Sequence, residues 1–215
     1  MKTPLFITFE GGEGTGKTTQ LTLLAKRLER LGRDVLLTRE PGGTPLGIEI
    51  RRHLVASTID PPVPLAELFL YAADRAQHVE RVIKPALAAG NVVLCDRYAD
   101  ATVAYQCYGR GLNRELIDEL NGIATGGLWP VRTLLIDLDH SEGVNRSLAR
   151  EASSEEAESR FEEEETAFHE RVNEGYRALM KKEGERFRLV DGYGTVEEVA
   201  SRVWEALKDL FGETK

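Results

Sequence analysis

Gly11-Gly12-Glu13-Gly14-Thr15-Gly16-Lys17-Thr18 lies between a short apolar run, Leu5-Phe6-Ile7-Thr8-Phe9, and the stretch Thr19 to Arg30, where Leu21, Leu24, Ala25 and Leu28 recur on one helical stripe. The octet has the spacing of a phosphate-binding loop, and the flanks supply the strand before it and the helix after it that such a loop needs. Its glycines let the backbone approach phosphate oxygens and turn N–H groups inward. The helix start adds partial positive charge. Lys17 is placed to reach the β- and γ-phosphates, and the Thr18 hydroxyl to hold Mg²⁺. A glycine-rich turn with a surface lysine would explain the composition but not the strand and helix on either side. The stretch therefore predicts nucleoside triphosphate binding by Gly11 to Thr19.

The rest of the chain sets bounds. Its 215 residues suit one domain, or one domain with a small mobile insert, and 41% hydrophobic content suffices for a core. No apolar run approaches the ~20 residues of a membrane span, and the first residues lead into a strand without signal-peptide layout, so no membrane partner and a cytoplasmic location are expected. Cys95 and Cys107 make no disulfide framework; Cys95 ends an apolar run and reads as a buried core thiol. The net charge of −8 argues against a nucleic-acid partner. That charge is local, because residues 151–170 hold nine Glu and one Arg. An acidic chain that binds polyphosphate must concentrate its arginines.

Strand-like runs recur at Leu5–Phe9, Val35–Leu37, Val92–Cys95, Leu134–Leu138 and Phe187–Val190. Helical patterns occupy Pro64–Gly90, Glu115–Ile123 and Glu197–Phe211, with Leu65–Ala89 readable as one long helix. Apolar strands alternating with helices predict a three-layer α/β/α fold around a five-stranded parallel sheet, with ligands at the carboxyl ends of the strands. The polar stretch Glu151–Glu165, without Gly or Pro, reads either as a solvated helix or loop or as a mobile flap, at about residues 146–165, over the nucleotide.

Val92-Val93-Leu94-Cys95-Asp96 puts an acid at a strand end, where it can stand near Mg²⁺; Leu134-Leu135-Ile136-Asp137 fits the same loose pattern, but only Asp96 is followed by Arg97-Tyr98. Arg39, Arg51, Arg75, Arg97 and Arg110 fall near predicted strand or loop ends. Arg39-Glu40-Pro41-Gly42-Gly43-Thr44 follows the second strand as a tight turn, and Arg97 follows the third, so both should face the sheet edge of Lys17. A phosphate acceptor, with a second pKa of about 6, needs no general base, only cations that hold two anions in line. A hydroxyl acceptor would want a carboxylate base. The arginines thus favour a nucleoside-monophosphate kinase.

The ordered segments Phe9 to Thr19, Arg39 to Thr44, Tyr71-Ala72-Ala73-Asp74-Arg75-Ala76-Gln77-His78 running on to Val82-Ile83-Lys84-Pro85, Asp96-Arg97-Tyr98 and Ala104-Tyr105-Gln106 resemble the bacterial thymidylate kinase family over residues 3 to 205. The resemblance implies a P-loop nucleotide kinase that transfers the γ-phosphate of ATP to dTMP with Mg²⁺, in a homodimer. It implies that Glu13 accepts the deoxyribose 3′-OH and that Tyr71, where the family usually has Phe, stacks on thymine. Arg75 would donate to thymine O4, Thr102 and Gln106 would meet the base edge, and Tyr105 would crowd the 2′ position. Arg39, Arg51 and Arg97 would surround the acceptor phosphate. With no arginine in the phosphate loop, Arg150 and Arg160 of the flap would reach the transferred phosphate, and Arg146 would lie near adenine. Ser159, Ala101 and Cys107 depart from the usual Asp, Ser and Gly. The nearest rival is a deoxynucleoside kinase acting on thymidine. A GTPase switch is disfavoured, because no Asn-Lys-x-Asp occurs and Asp191-Gly192-Tyr193-Gly194 follows the last strand.

Overall fold

The computed structural model describes residues 3–55, 60–139, 142–143, 146, 161 and 164–212. Strands β1 (Leu5–Glu10), β2 (Val35–Arg39), β3 (Val92–Asp96), β4 (Arg132–Asp137) and β5 (Phe187–Asp191) form one parallel sheet in the order β2-β3-β1-β4-β5. The three inner strands are buried almost throughout, which is why they read as unbroken apolar runs, whereas β2 and β5 at the edges are partly exposed. Around the sheet lie α1 (Lys17–Arg30), α2 (Pro45–Val55), α3 (Pro64–His78), α4 (Lys84–Ala88), α5 (Ala99–Thr102), α6 (Arg114–Thr125), α7 (Thr166–Lys182) and α8 (Val196–Glu205).

The two faces of the sheet follow the strand period. Leu5, Ile7 and Phe9 join Leu94, Leu134 and Ile136 against Leu21, Leu24 and Leu28 of α1 and Val199, Val203 and Trp204 of α8. Phe6 and Val93 turn the other way, against Val79, Ile83 and Tyr98, while Leu135 and Phe187 pack on Phe168, Val172, Tyr176 and Leu179 of α7. Thr8 and Glu10 share that second face, so β1 carries a polar column there; Thr8 and Thr133 hydroxyls meet at 2.9 Å.

Register positions the site. Phe9 pairs with Asp96, and Asp96 with Arg39, so three strands end in one row. The phosphate loop, Arg97 and the turn after Arg39 therefore leave from a single sheet edge. The predicted single helix over Leu65–Ala89 is one helical run with a wider π-turn at Val79–Ile83, just before Pro85, whose missing N–H cannot serve the carbonyl four residues back. The predicted Glu197–Phe211 helix stops at Glu205 and resumes only as a tight 3₁₀ turn, Lys208–Phe211. Helices α2 and α7 were not singled out by periodicity.

Candidate active site

The phosphate loop bends where its glycines allow. Gly11, Gly14 and Gly16 have φ of 137°, 67° and 86°, and a Cβ on Gly14 would run into the Gly143 carbonyl. Lys17 opens α1 and folds over the loop, donating to Gly12 O at 2.5 Å, Gly11 O at 3.2 Å and Thr15 Oγ1 at 3.4 Å. Burial, reinforced by the nearby Arg97 cation, lowers its ammonium to about 8 against the pull of Glu13 and Asp96. Thr19 is exposed on the first turn of α1.

Thr18 Oγ1 donates to Asp96 Oδ2 at 2.7 Å, which brings the two expected Mg²⁺ donors together from α1 and β3. One carboxylate and one hydroxyl beside a phosphate cradle suit a small hard cation that takes its other ligands from phosphate and water. Among the described residues no group of three or more His, Cys, Asp or Glu could hold a metal by itself. The residues present therefore fit Mg²⁺ carried in with a nucleotide. Asp137 ends β4, and its carbonyl accepts from Gly192 N at 2.8 Å.

Arg97 is the only non-glycine residue with positive φ among the described residues, at 66°. Such a backbone costs an L-residue roughly 1–2 kcal/mol and persists when its surroundings over-determine it. They do: Arg97 N donates to Phe9 O at 2.9 Å, Nη1 to Gly11 O at 2.9 Å and to the Tyr176 hydroxyl at 3.2 Å, and Nη2 to Glu13 Oε1 at 2.7 Å. The guanidinium also lies 4.9 Å over the Tyr105 ring, and the Tyr105 hydroxyl donates to Glu13 Oε1 at 3.3 Å. Burial works against ionising Glu13, but Arg97, Lys17 and the tyrosine hydroxyl outweigh it and hold its carboxyl at about 2. Burial likewise opposes the charge on Arg97, and Glu13 with the surrounding tyrosine and Asp96 oxygens outweighs it.

On the other side of Asp96 a cis Glu40–Pro41 bond opens the turn that follows β2. Arg39 is exposed there; half-buried Arg51 donates from Nη1 to Pro41 O at 3.3 Å. Burial and then the Arg39 charge lower Arg51, with Arg97 adding to the effect, so three guanidinium groups share one field. Helix α3 holds this turn. Asp74 Oδ1 accepts from Gly42 N at 3.1 Å, and buried Glu40 bridges Arg75 Nε and His78 Nδ1, each at 2.9 Å. Burial, then Glu40, raises Asp74 to about 6.

Arg75 is placed more deeply than its expected contact with thymine suggests. It is 1% exposed, with Nη1 on Asn121 Oδ1 at 2.7 Å and Nη2 on Tyr98 O at 3.1 Å and Thr102 Oγ1 at 2.9 Å. Thr102 is thus tied to Arg75, and Gln106 Nε2 donates to Glu67 Oε1 at 2.7 Å. Tyr71 is half-buried and packs with Tyr105 in the cluster under α7. Cys95 is fully buried, and Cys107 lies half-buried within the π-helical turns Val103–Gly109.

Several polar residues had no role assigned from the sequence: Glu10, Glu40, Glu67, Asp74, His78 and Tyr176. Glu10 is fully buried beneath the loop, accepting from Tyr98 N and the Tyr176 hydroxyl at 2.8 Å each. Burial, then the Asp100 carboxylate, pushes it up to about 8 against Arg97. Asp100 itself takes a bidentate grip from Arg186 at 2.6 and 2.9 Å. A lone acid closing an apolar strand was the available signal for Glu10. The roots of the expected flap are tied down: Arg146 donates to Gly192 O at 3.1 Å and to Glu142, and Arg110 pairs with Glu164 at 2.6 Å. Arg150, Ser159 and Arg160 lie outside the described residues.

The loop, the paired Thr18 and Asp96, and the arginines on one sheet edge can now be set beside known proteins. The family profile described as thymidylate kinase matches residues 9–203. The chain belongs to the thymidylate kinase family. It is 54% identical over 204 residues to thymidylate kinase of Geobacter sp. (strain M21), covering 94% of this chain and 91% of that one. Thymidylate kinase of Synechococcus sp. (strain JA-3-3Ab) is 52% identical over 204 residues, with 95% of each chain covered. Among solved structures, thymidylate kinase from Ehrlichia chaffeensis superposes with a TM-score of 0.77 at 33% identity, over 97% of this chain and 100% of that one. Membership makes the chain an ATP-dependent phosphotransferase that converts dTMP to dTDP, and the deoxynucleoside-kinase alternative is not favoured. No helix among the described residues is long and apolar enough to cross a membrane.

Proposed function

We propose that the two nucleotides meet over the row formed by Phe9, Asp96 and Arg39. Gly11 to Thr19 and Lys17 take the ATP phosphates, and Arg39, Arg51 and Arg97 take the dTMP phosphate. The observation that carries this reading is Arg97, strained at φ 66° and bonded at once to Gly11 O and Glu13, on the seam between the two phosphate sites. A dianionic acceptor needs charge relief and alignment, which fixed guanidinium groups supply without reorganising. Thr18 and Asp96 would hold Mg²⁺, which supplies charge neutralisation on the ATP phosphates.

Around the acceptor, Tyr71 serves as the base platform, Arg75, Thr102 and Gln106 meet its edge, Tyr105 crowds the sugar 2′ position, and Glu13 accepts the 3′-OH. Arg146 serves adenine, and Arg150 and Arg160 supply positive charge to the transferred phosphate. We further infer a cytoplasmic homodimer. Leu65 and Phe69, 43% and 50% exposed, begin an apolar stripe on α3 that continues through exposed Ala73 and Ala76, a face that a second copy would cover.

The test is a two-acceptor assay. With ATP and Mg²⁺ the protein should yield dTDP and ADP in equal amounts from dTMP and nothing from thymidine, and a chelator should stop the reaction until Mg²⁺ is restored. Turnover of thymidine, or full activity in the chelator, would overturn the phosphate clamp or the metal assignment respectively.

A further inference from the structure

Two polar rungs cross between α3 and the helical run Ala99–Gly109. One is Arg75 Nη2 to Thr102 Oγ1 and Tyr98 O; the other is Gln106 Nε2 to Glu67 Oε1 at 2.7 Å. Glu67, Tyr71 and Arg75 follow at four-residue intervals on one stripe of α3, so Tyr71 lies between the rungs. Glu67 and Gln106 are 0% and 1% exposed. Arg110 brings Nε and Nη2 to 3.4 Å from the Glu67 oxygens, and its third nitrogen pairs with Glu164, so Glu67 has its countercharge within the protein.

We infer that Glu67 is a positioning residue that fixes which way round the Gln106 amide faces the base, and thereby makes the pocket select pyrimidines with an imide edge. The inference rests on the proposed placement of the base between Tyr71, Arg75 and Gln106. The Glu67 oxygens, already facing Arg110, accept from the amide nitrogen, so Oε1 is left as the free end. Among the described residues no hydrogen bond reaches that oxygen. An acceptor there matches the N3–H of thymine or uracil. Cytosine carries a lone pair at N3, so two acceptors would oppose each other in a buried site. Arg75, a pure donor, sets the matching demand at position 4.

Glu67→Gln keeps the size and lets the facing amide turn over. The ratio of kcat/KM for dTMP to that for dCMP should fall by about tenfold or more, through a gain on dCMP, the scale at which one mismatched buried polar group discriminates. dUMP, with the same imide edge, should move with dTMP, and kcat for dTMP should stay within about threefold because no reacting atom is touched. In a Gln106→Ala background the substitution should leave the ratio unchanged. If Glu67→Gln does not fold, Glu67→Gln with Arg110→Gln leaves no uncompensated guanidinium and should show the same shift. Equal losses on dTMP and dCMP, or a shift that persists without Gln106, would overturn the inference. A Gln106→Ala variant whose KM for dTMP is unchanged would instead sink the base placement beneath it.

Discussion

Single residues at this sheet edge sit in tension between burial and charge. Lys17 is lowered to about 8, first by burial and then by Arg97. Its cationic form binds phosphate, so ATP affinity should weaken as pH rises past 8, by up to about tenfold per pH unit for one linked proton. ATP titrations between pH 6.5 and 9.5 that stay flat would contradict this. Glu10 behaves oppositely to a paired carboxylate. Its folded pKa, about 8, lies above the ordinary value of 4.5, so the folded protein keeps a proton that the unfolded chain releases. Stability from this group is complete below 4.5 and declines as pH rises toward 8. Glu10→Gln should flatten that decline in a melting series from pH 5 to 8; an unchanged slope would place the cost elsewhere. In the sequence, the grouping of Lys17, Thr18, Asp96 and Arg97 at one sheet edge was legible, because each falls at a strand end or helix start beside the glycine loop. Glu10 was not, because its significance comes from Asp100 and Tyr176, distant in the chain and brought beneath β1 only by the fold.

At the scale of elements, α3 joins the two halves of the proposed acceptor site. Glu67 meets Gln106 on one side, while Asp74, Arg75 and His78 hold the turn after β2 on the other. Glu40 is the joint, buried between Arg75 and His78. Glu40→Ala would leave the Arg75 guanidinium uncompensated at 1% exposure, a loss of about 3–5 kcal/mol. For a chain of this size each kcal/mol lowers Tm by about 2–4 °C, so calorimetry should show a drop of roughly 6–20 °C. At a temperature where the variant is folded, KM for dTMP should rise while the ATP dissociation constant holds; parallel losses of both would separate α3 from the acceptor site. The helical pattern of α3 was readable from its sequence, but its π-turn was not, since apolar periodicity hardly changes across one wide turn. The depth of Arg75 was equally hidden, because four of its hydrogen bonds go to Glu40, Asn121, Tyr98 and Thr102, on three other segments.

For the molecule as a whole, the five strands were visible because buried parallel strands are apolar without interruption. Their order follows from register, which no single strand encodes. The apolar stripe on α3 gives the proposed homodimer its own test. Sedimentation should show twice the chain mass, and Phe69→Glu, at a position 50% exposed, should give folded monomer. A monomer in the unsubstituted protein would remove the dimer.

The convergence of guanidinium and ammonium groups on one sheet edge is best probed through Arg97, by single-turnover transfer from ATP to dTMP alongside ATP titration of Arg97→Ala. Transfer should slow by about a hundredfold or more while ATP affinity stays within about twofold, as expected when a charge that acts on the transition state is removed. Equal weakening of transfer and of ATP binding, or transfer at the unsubstituted rate, would contradict it.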